Sequence, residues 1–260
     1  MAIPKVARII DSEPIDDGSY GARLVRFEMA DGTPLGFRGG QYLIVNTGAA
    51  LAGESSPVKR AYSVMSDDRE QRHAQLAIKL IGPGSTALHS ARVGDQFAFS
   101  GPWGKLWPDE STRGPALILA TDTGITAALG LAQSQAFVPF LNDATILWYR
   151  ESPAYFLPRS FVDMRLGDAC ARLMVDDALP PNHPERIEHA RIVVTRRFAN
   201  SQPPGCVFFA GDGALIEPLR SYFFGARANA NASANANASA NAEAFKYEAF
   251  FNNPARKSPK

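Results

Sequence analysis

Along the first hundred residues the apolar positions come in short bursts, interleaved with polar ones and cut by turn residues. Segments 6–10, 21–29, 41–45, 60–65, 76–81 and 96–100 each carry β-branched or aromatic side chains, and Asp17-Gly18, Asp31-Gly32, Gly39-Gly40 and Gly94-Asp95 fall between them. Short strands at this spacing predict an antiparallel barrel or sandwich. Gly82-Pro83-Gly84 opens one predicted helix, at 85–91.

The pattern changes after the polar stretch 108–115, which sets the expected domain boundary: 1–110 before it, 114–260 after it. Beyond it, strands at 116–121, 145–150, 171–175 and 207–210 alternate with helices at 125–137, 155–166, 184–200 and 214–224. Alternation of this kind predicts a parallel sheet covered by helices. Ile192-Val193-Val194-Thr195 fits a strand as well. The helix is preferred because Pro184 suits a first turn, Arg191, Arg196 and Arg197 suit its later part, and Ile187, Ala190, Val194 and Phe198 share one face. That choice makes 171–175 the third strand. Residues 228–242 repeat Ala, Asn and Ser with no large apolar side chain. Such a segment cannot build a core, and it predicts a flexible insertion. Aromatics return at Phe245, Tyr247, Phe250 and Phe251, so the tail is expected to dock.

Composition narrows the classes. The 260 residues are 45% hydrophobic, enough for one or two packed domains, and 27 Lys+Arg balance 26 Asp+Glu. A net charge of +1 argues against a general nucleic-acid binder. Cys170 and Cys206 are too few for a disulfide framework or an iron–sulfur cluster and are expected to be reduced and structural. His73, His89, His183 and His189 have no metal spacing, so no metal site is expected. No run approaches the ~20 apolar residues of a membrane span. The first residues lack the apolar stretch of a signal peptide, which predicts a cytoplasmic chain.

Four segments carry candidate chemistry. In Arg60-Ala61-Tyr62-Ser63 the Arg and Tyr fall on one face of a strand. The Arg can clamp a phosphate, the Tyr can stack on a planar ring, and Ser63 can hydrogen-bond the ring edge. A surface Arg beside a half-buried Tyr fits the same residues. Lys79 leads into Gly82, Gly84, Ser85 and Thr86, a Gly-rich turn opening a helix; it has the form of a pyrophosphate site, and equally of a Gly-Pro turn with a Ser cap. Thr121-Asp122-Thr123-Gly124 ends a buried strand before a helix, and Gly211-Asp212 ends another. Neither is a G-x-G-x-x-G fingerprint or a P-loop. Two such crevices in one parallel sheet form the walls of a nucleotide cleft. Trp103 and Trp107 are expected in the barrel-end core.

In order and spacing these segments resemble the ferredoxin–NADP reductase superfamily over nearly the whole chain outside the Ala/Asn repeat. Arg60-Ala-Tyr-Ser63 resembles the Arg-x-Tyr-Ser flavin motif, residues 82–86 stand where the family binds the flavin pyrophosphate, and residues 120–126 resemble its Gly-Thr-Gly-Ile nicotinamide loop. Two departures stand out: Asp122 replaces a small residue, and Ala210 replaces the family cysteine of Cys-Gly-Pro. Siderophore-interacting ferric reductases, a related group, share the acidic departures. The resemblance implies a two-domain flavoprotein: an FAD-binding barrel, then an α/β domain for NADH or NADPH. It would pass a hydride to flavin N5 and electrons to a separate acceptor such as ferredoxin, flavodoxin, free flavin or a ferric chelate. Arg60 would neutralise pyrophosphate, Tyr62 would stack on the flavin, Ser63 would act near N5, and Phe250 or Phe251 would cover the other ring face. Asp176 and Asp177 at the end of the third strand favour NADH, because carboxylates repel a 2′-phosphate; Arg150 argues for NADPH. A monomer is expected. A flavin-binding sensor without turnover is the alternative, supported by Asp122 and Ala210.

Overall fold

The computed structural model describes residues 4–16, 19–50, 57–110, 112–167, 171–199, 204–225 and 245–252. The Asp17-Gly18 turn, Cys170 and the 228–242 repeat lie outside them. The chain divides into two compact units, one spanning Met1–Lys105, Thr126–Val138 and Ala154–Asp168, the other Leu106–Ile125, Pro139–Pro153 and Ala169–Lys260.

The first unit is built on six antiparallel strands: β1 (Lys5–Pro14), β2 (Ala22–Met29), β3 (Tyr42–Ala50), β4 (Pro57–Ser63), β5 (His73–Lys79) and β6 (Gln96–Trp103), in the order β4-β3-β6-β1-β2-β5. Each predicted strand is present, and alternation sets its inner face. Val25, Phe27 and Met29 of β2 are buried while Arg26 and Glu28 between them are not. Phe27 meets Phe97 and Phe99 of β6 edge-on, with ring centroids 5.3 and 6.3 Å apart. The curl closes just past β4, where the Met65 N–H donates to the Gln75 carbonyl of β5 at 2.9 Å. Helix α1 (Pro83–His89) follows β5. Helix α2 (Ile125–Ala132) and helix α3 (Arg159–Leu166) fall largely in this unit. Gln133 Nε2, just past α2, donates to the Met65 carbonyl at 3.1 Å, and Arg165 of α3 donates to Gln75 Oε1 at 2.6 Å.

The second unit carries five parallel strands, β7 (Ala116–Thr121), β8 (Thr145–Arg150), β9 (Arg172–Asp177), β10 (Cys206–Asp212) and β11 (Phe245–Phe251), in the order β11-β10-β7-β8-β9. The two central strands, β7 and β10, are buried at every position, and this is why they read as unbroken apolar runs. Helix α4 (Arg186–Phe198) and helix α5 (Ile216–Arg220) pack on one face, where Ala190, Val193 and Val194 join Leu119 and Phe209. Ile192–Thr195 is therefore helical and β9 is the third strand, as preferred. The register differs in one respect: Ile187 is 40% exposed, and Arg186 takes the inward position at the start of α4.

Several bounds shift. The helix expected at 125–137 ends at Ala132, and a 3-10 segment, Gln135–Asp143, with Pro139 inside it, takes the place of its end. The helix expected from 155 starts at Arg159, immediately after Pro158, whose fixed φ suits a helix entry. Trp103 is 43% exposed, with Nε1 on Ser100 Oγ at 3.3 Å, so it is not core. The returning aromatics form β11, an edge strand that pairs with β10. Among the described residues no single helix is long and apolar enough to cross a membrane.

The barrel core yields a prediction. Phe27→Ala removes a ring that is 0% exposed and should destabilise the protein by about 3–5 kcal/mol, measured by urea unfolding. A loss well under ~1 kcal/mol would mean that the Phe27–Phe97–Phe99 cluster is not close-packed.

Candidate functional sites

In the first unit, β4 is an edge strand whose register sets Arg60 opposite Val45 and Tyr62 opposite Leu43. Arg60 is exposed, and its Nη1 donates to the Lys59 carbonyl at 2.9 Å. Tyr62 packs against the barrel core, and burial pushes its hydroxyl up to about 12 against the opposing charge of Arg60. Ser63, at the strand end, is buried.

Helix α1 comes up against this strand. A Cβ placed on Gly84 would sit 3.0 Å from Val58 Cγ1, 3.2 Å from Arg60 Cγ and 3.5 Å from Thr47 Cγ2. A side chain at this position would crowd Val58 and Arg60 by a few tenths of an ångström, so glycine suits the close approach of the first turn of α1 to Arg60. The hydroxyls of Ser85 and Thr86 both donate to the Gly82 carbonyl, at 2.9 and 3.0 Å, and Ser85 Oγ also accepts the Ile81 and Gly82 N–H groups. These side chains therefore build the turn, while the Arg60 side chain beside it is exposed. Lys79 lies elsewhere: its ammonium sits over the Tyr155 ring, 3.3 Å from the centroid.

In the second unit, the two expected crevices meet. Thr121 and Asp122 close β7, and Asp122–Gly124 form a 3-10 turn. A Cβ on Gly124 would run into the Ala210 carbonyl, and one on Gly211, at φ +136°, into Thr121. The backbones thus touch only because both positions are glycine. The Asp212 N–H donates to Thr121 Oγ1 at 2.7 Å across the same gap.

Asp122 stands where the resembled motif has its first glycine and keeps a glycine-like backbone, φ +51°. Asp is among the few residues that tolerate this region. Its carboxylate, 0% exposed, does not face outward. Oδ2 accepts from Arg186 Nη2, and Arg186 Nε donates to Asp212 Oδ2 at 2.9 Å. Arg186 Nη1 donates to the Leu179 carbonyl, and the guanidinium lies 5.5 Å from the Tyr149 ring centroid. The second Asp212 oxygen accepts from the Ala214 N–H and from Asn252 Nδ2, each at 3.0 Å, whereas Asp122 Oδ1 is buried with no hydrogen-bond partner among the described residues. Burial pushes the Asp122 carboxyl up to about 6; Arg186 opposes this, and the charges of Asp212 and Glu151 add to it. Sequence reasoning missed Arg186, because its partners lie 26 and 64 residues away. The single available signal was an Arg at the first position of a helix, where the dipole disfavours a cation.

At the end of β9, Asp176 is buried and takes Arg197 Nε at 2.6 Å and Arg196 Nη2 at 2.9 Å, both from α4. Asp177 is exposed, its side chain 65% accessible, with Arg150 Nε 4.0 Å away. The aspartates and Arg150, which the sequence set against each other, thus occur together, with Arg196 and Arg197 beside them. Phe250 and Phe251 end β11, and Phe251 pairs in register with Asp212.

Residues 15–107 match the family model for the oxidoreductase FAD-binding domain. Over 128 residues the chain is 35% identical to ferredoxin–NADP reductase B of Sorangium cellulosum, covering 48% of this chain and 50% of that protein. It is 32% identical over 114 residues to the NADH-cytochrome b5 reductase-like protein of Homo sapiens, covering 42% and 34%. The chain spans half or less of the length of these curated relatives. Among solved structures, the siderophore-interacting protein from Acinetobacter baumannii superposes with a TM-score of 0.67 at 13% identity, over 96% of this chain and 90% of that one. Phthalate dioxygenase reductase superposes with a TM-score of 0.61 at 19% identity, over 95% and 68%. The FAD-binding-domain match thus lies on the curled antiparallel sheet, and the chain as a whole, in which that sheet is followed by a five-stranded parallel one, shares the fold of these solved structures.

Proposed function

We propose that the protein is an FAD-dependent reductase that takes electrons from a reduced nicotinamide dinucleotide and delivers them to a separate acceptor. The observation that carries this reading is the cradle in the first unit: an exposed Arg60 on an edge strand, against the first turn of α1, inside the stretch that matches the FAD-binding family. The cradle fits a pyrophosphate, because a charged fork and a helix-opening backbone converge where Gly84 carries no side chain. FAD would supply the redox chemistry. Arg60 would neutralise its phosphates, the Tyr62 ring would pack on its isoalloxazine, and Ser63 would hydrogen-bond the ring edge. We assign residues 1–110 to FAD and 114–260 to the dinucleotide.

For the donor we favour NADH. Asp176 is covered by Arg196 and Arg197 and drops out as a determinant, leaving Asp177 as the exposed carboxylate at the end of β9. It can accept a hydrogen bond from a ribose hydroxyl and would repel a 2′-phosphate. The acceptor is of the kind that the names of the relatives and neighbours carry: a ferredoxin, a cytochrome or a siderophore.

Purified protein should show a flavin spectrum that bleaches on anaerobic addition of NADH. A bound flavin that no dinucleotide bleaches would favour the sensor, and a colourless protein that takes up no FAD would refute the assignment. Arg60→Ala should weaken FAD binding about ten- to a hundredfold, the ~1.5–3 kcal/mol of a charge-assisted phosphate contact; unchanged affinity would remove Arg60 from the site. In stopped-flow reduction NADH should outpace NADPH, and Asp177→Arg should shift the preference toward NADPH. Faster reduction of the unmodified protein by NADPH would overturn the donor assignment.

A further inference from the structure

Asp122 poses a problem for any anionic ligand at the carboxyl end of β7. It puts a carboxyl group on the turn between strand and helix, whose flanking residues Thr121 and Gly124 meet the Ala210–Gly211 backbone across the gap. We propose that Arg186 is a positioning residue for the dinucleotide: it holds the Asp122 carboxylate beneath the turn and so keeps a negative charge out of the crevice. This rests on the reading of the second unit as the dinucleotide-binding one.

The geometry makes Arg186 the decisive holder. One Asp122 oxygen is bound by Arg186, and the other, fully buried, has no hydrogen-bond partner among the described residues. A carboxylate in that state is costly to keep inside, and the guanidinium is the group that offsets the cost. The backbone of Asp122 is anchored independently, since Trp148 Nε1 donates to its carbonyl at 3.0 Å. Loss of the guanidinium would therefore free the side chain without freeing the turn. The carboxylate would rotate toward water, on the side where a pyrophosphate would lie. Asp212 differs. The Ala214 N–H and Asn252 Nδ2 also hold its carboxylate, so it stays in place when Arg186 is absent. Arg186 itself is 2% exposed and held by Asp212 and the Leu179 carbonyl, so it takes no part in direct ligand contact.

The test titrates NAD⁺ and NADP⁺ calorimetrically into the FAD-loaded full chain, which reads binding without turnover. Arg186→Met should weaken the preferred dinucleotide by about tenfold or more, as expected for a like charge set beside a phosphate, with flavin content unchanged. Adding Asp122→Gly to that variant removes the charge to be held and should return the affinity to within about threefold of the unmodified protein. Asp122→Gly alone should bind at least as tightly as the unmodified protein. A purely structural Arg186 predicts the opposite: the double variant would be no better than Arg186→Met, and that result would overturn the proposal. Unchanged affinity in Arg186→Met, or a marked loss in Asp122→Gly, would overturn it as well, the latter without depending on how Arg186→Met folds. An unmodified protein that binds the dinucleotide but is not bleached by NADH or NADPH would count against the reductase reading and leave this one standing. One that binds neither dinucleotide would overturn both.

Discussion

One guanidinium shared by two buried carboxylates organises the second unit. Arg186, at the start of α4, bonds Asp122 from the end of β7 and Asp212 from the end of β10, with all three side chains at 2% exposure or less. Removing any partner would strand a buried charge, a loss of about 3–5 kcal/mol in comparable systems. The bond ties the start of the covering helix to two strand ends that sheet pairing and the Trp148–Asp122 carbonyl bond already hold. The glycines answer to the direct pairing of the same two strands. With the strand ends drawn together, Gly124 and Gly211 face the backbone and side chain of the opposite loop, and no larger residue fits. The positive end of α4 then faces two acidic groups, and this offsets placing an Arg at its first position.

The first unit handles charge in the opposite way. Among the described residues its buried side chains carry no charge, with Phe27, Phe97 and Phe99 at the centre, and Arg60 is exposed on an edge strand beside the first turn of α1. Burying an Arg fixes a scaffold; exposing one leaves a donor fork to meet an incoming anion. Tyr62 sits between the two regimes, its ring on the core and its strand at the edge. At the end of β9 the pattern is intermediate. Asp176 is buried under two arginines, and Asp177, one residue on and so on the other face of the strand, is left to solvent.

The order of strands and helices was legible in the sequence because each unit writes its burial into a simple period. One-sided burial gave alternation in β2 and β5, and two-sided burial gave the continuous runs of β7 and β10. The Arg-x-Tyr-Ser segment and the Gly-rich turn before α1 were legible too, since each is a few adjacent residues with fixed local geometry. Tertiary structure alone decided the rest. Whether Ile192–Thr195 was strand or helix depended on which side chains of α4 found the sheet, and the answer put Arg186 inside and Ile187 outside. The aromatic tail became a strand only because β10 offered it a free edge in parallel register. The directions of the Asp122 and Asp176 carboxylates could not be read from their neighbours in sequence. A buried charge points wherever its counter-charge lies, and here those arginines arrive from a helix that begins 64 residues after one and ends about 20 after the other.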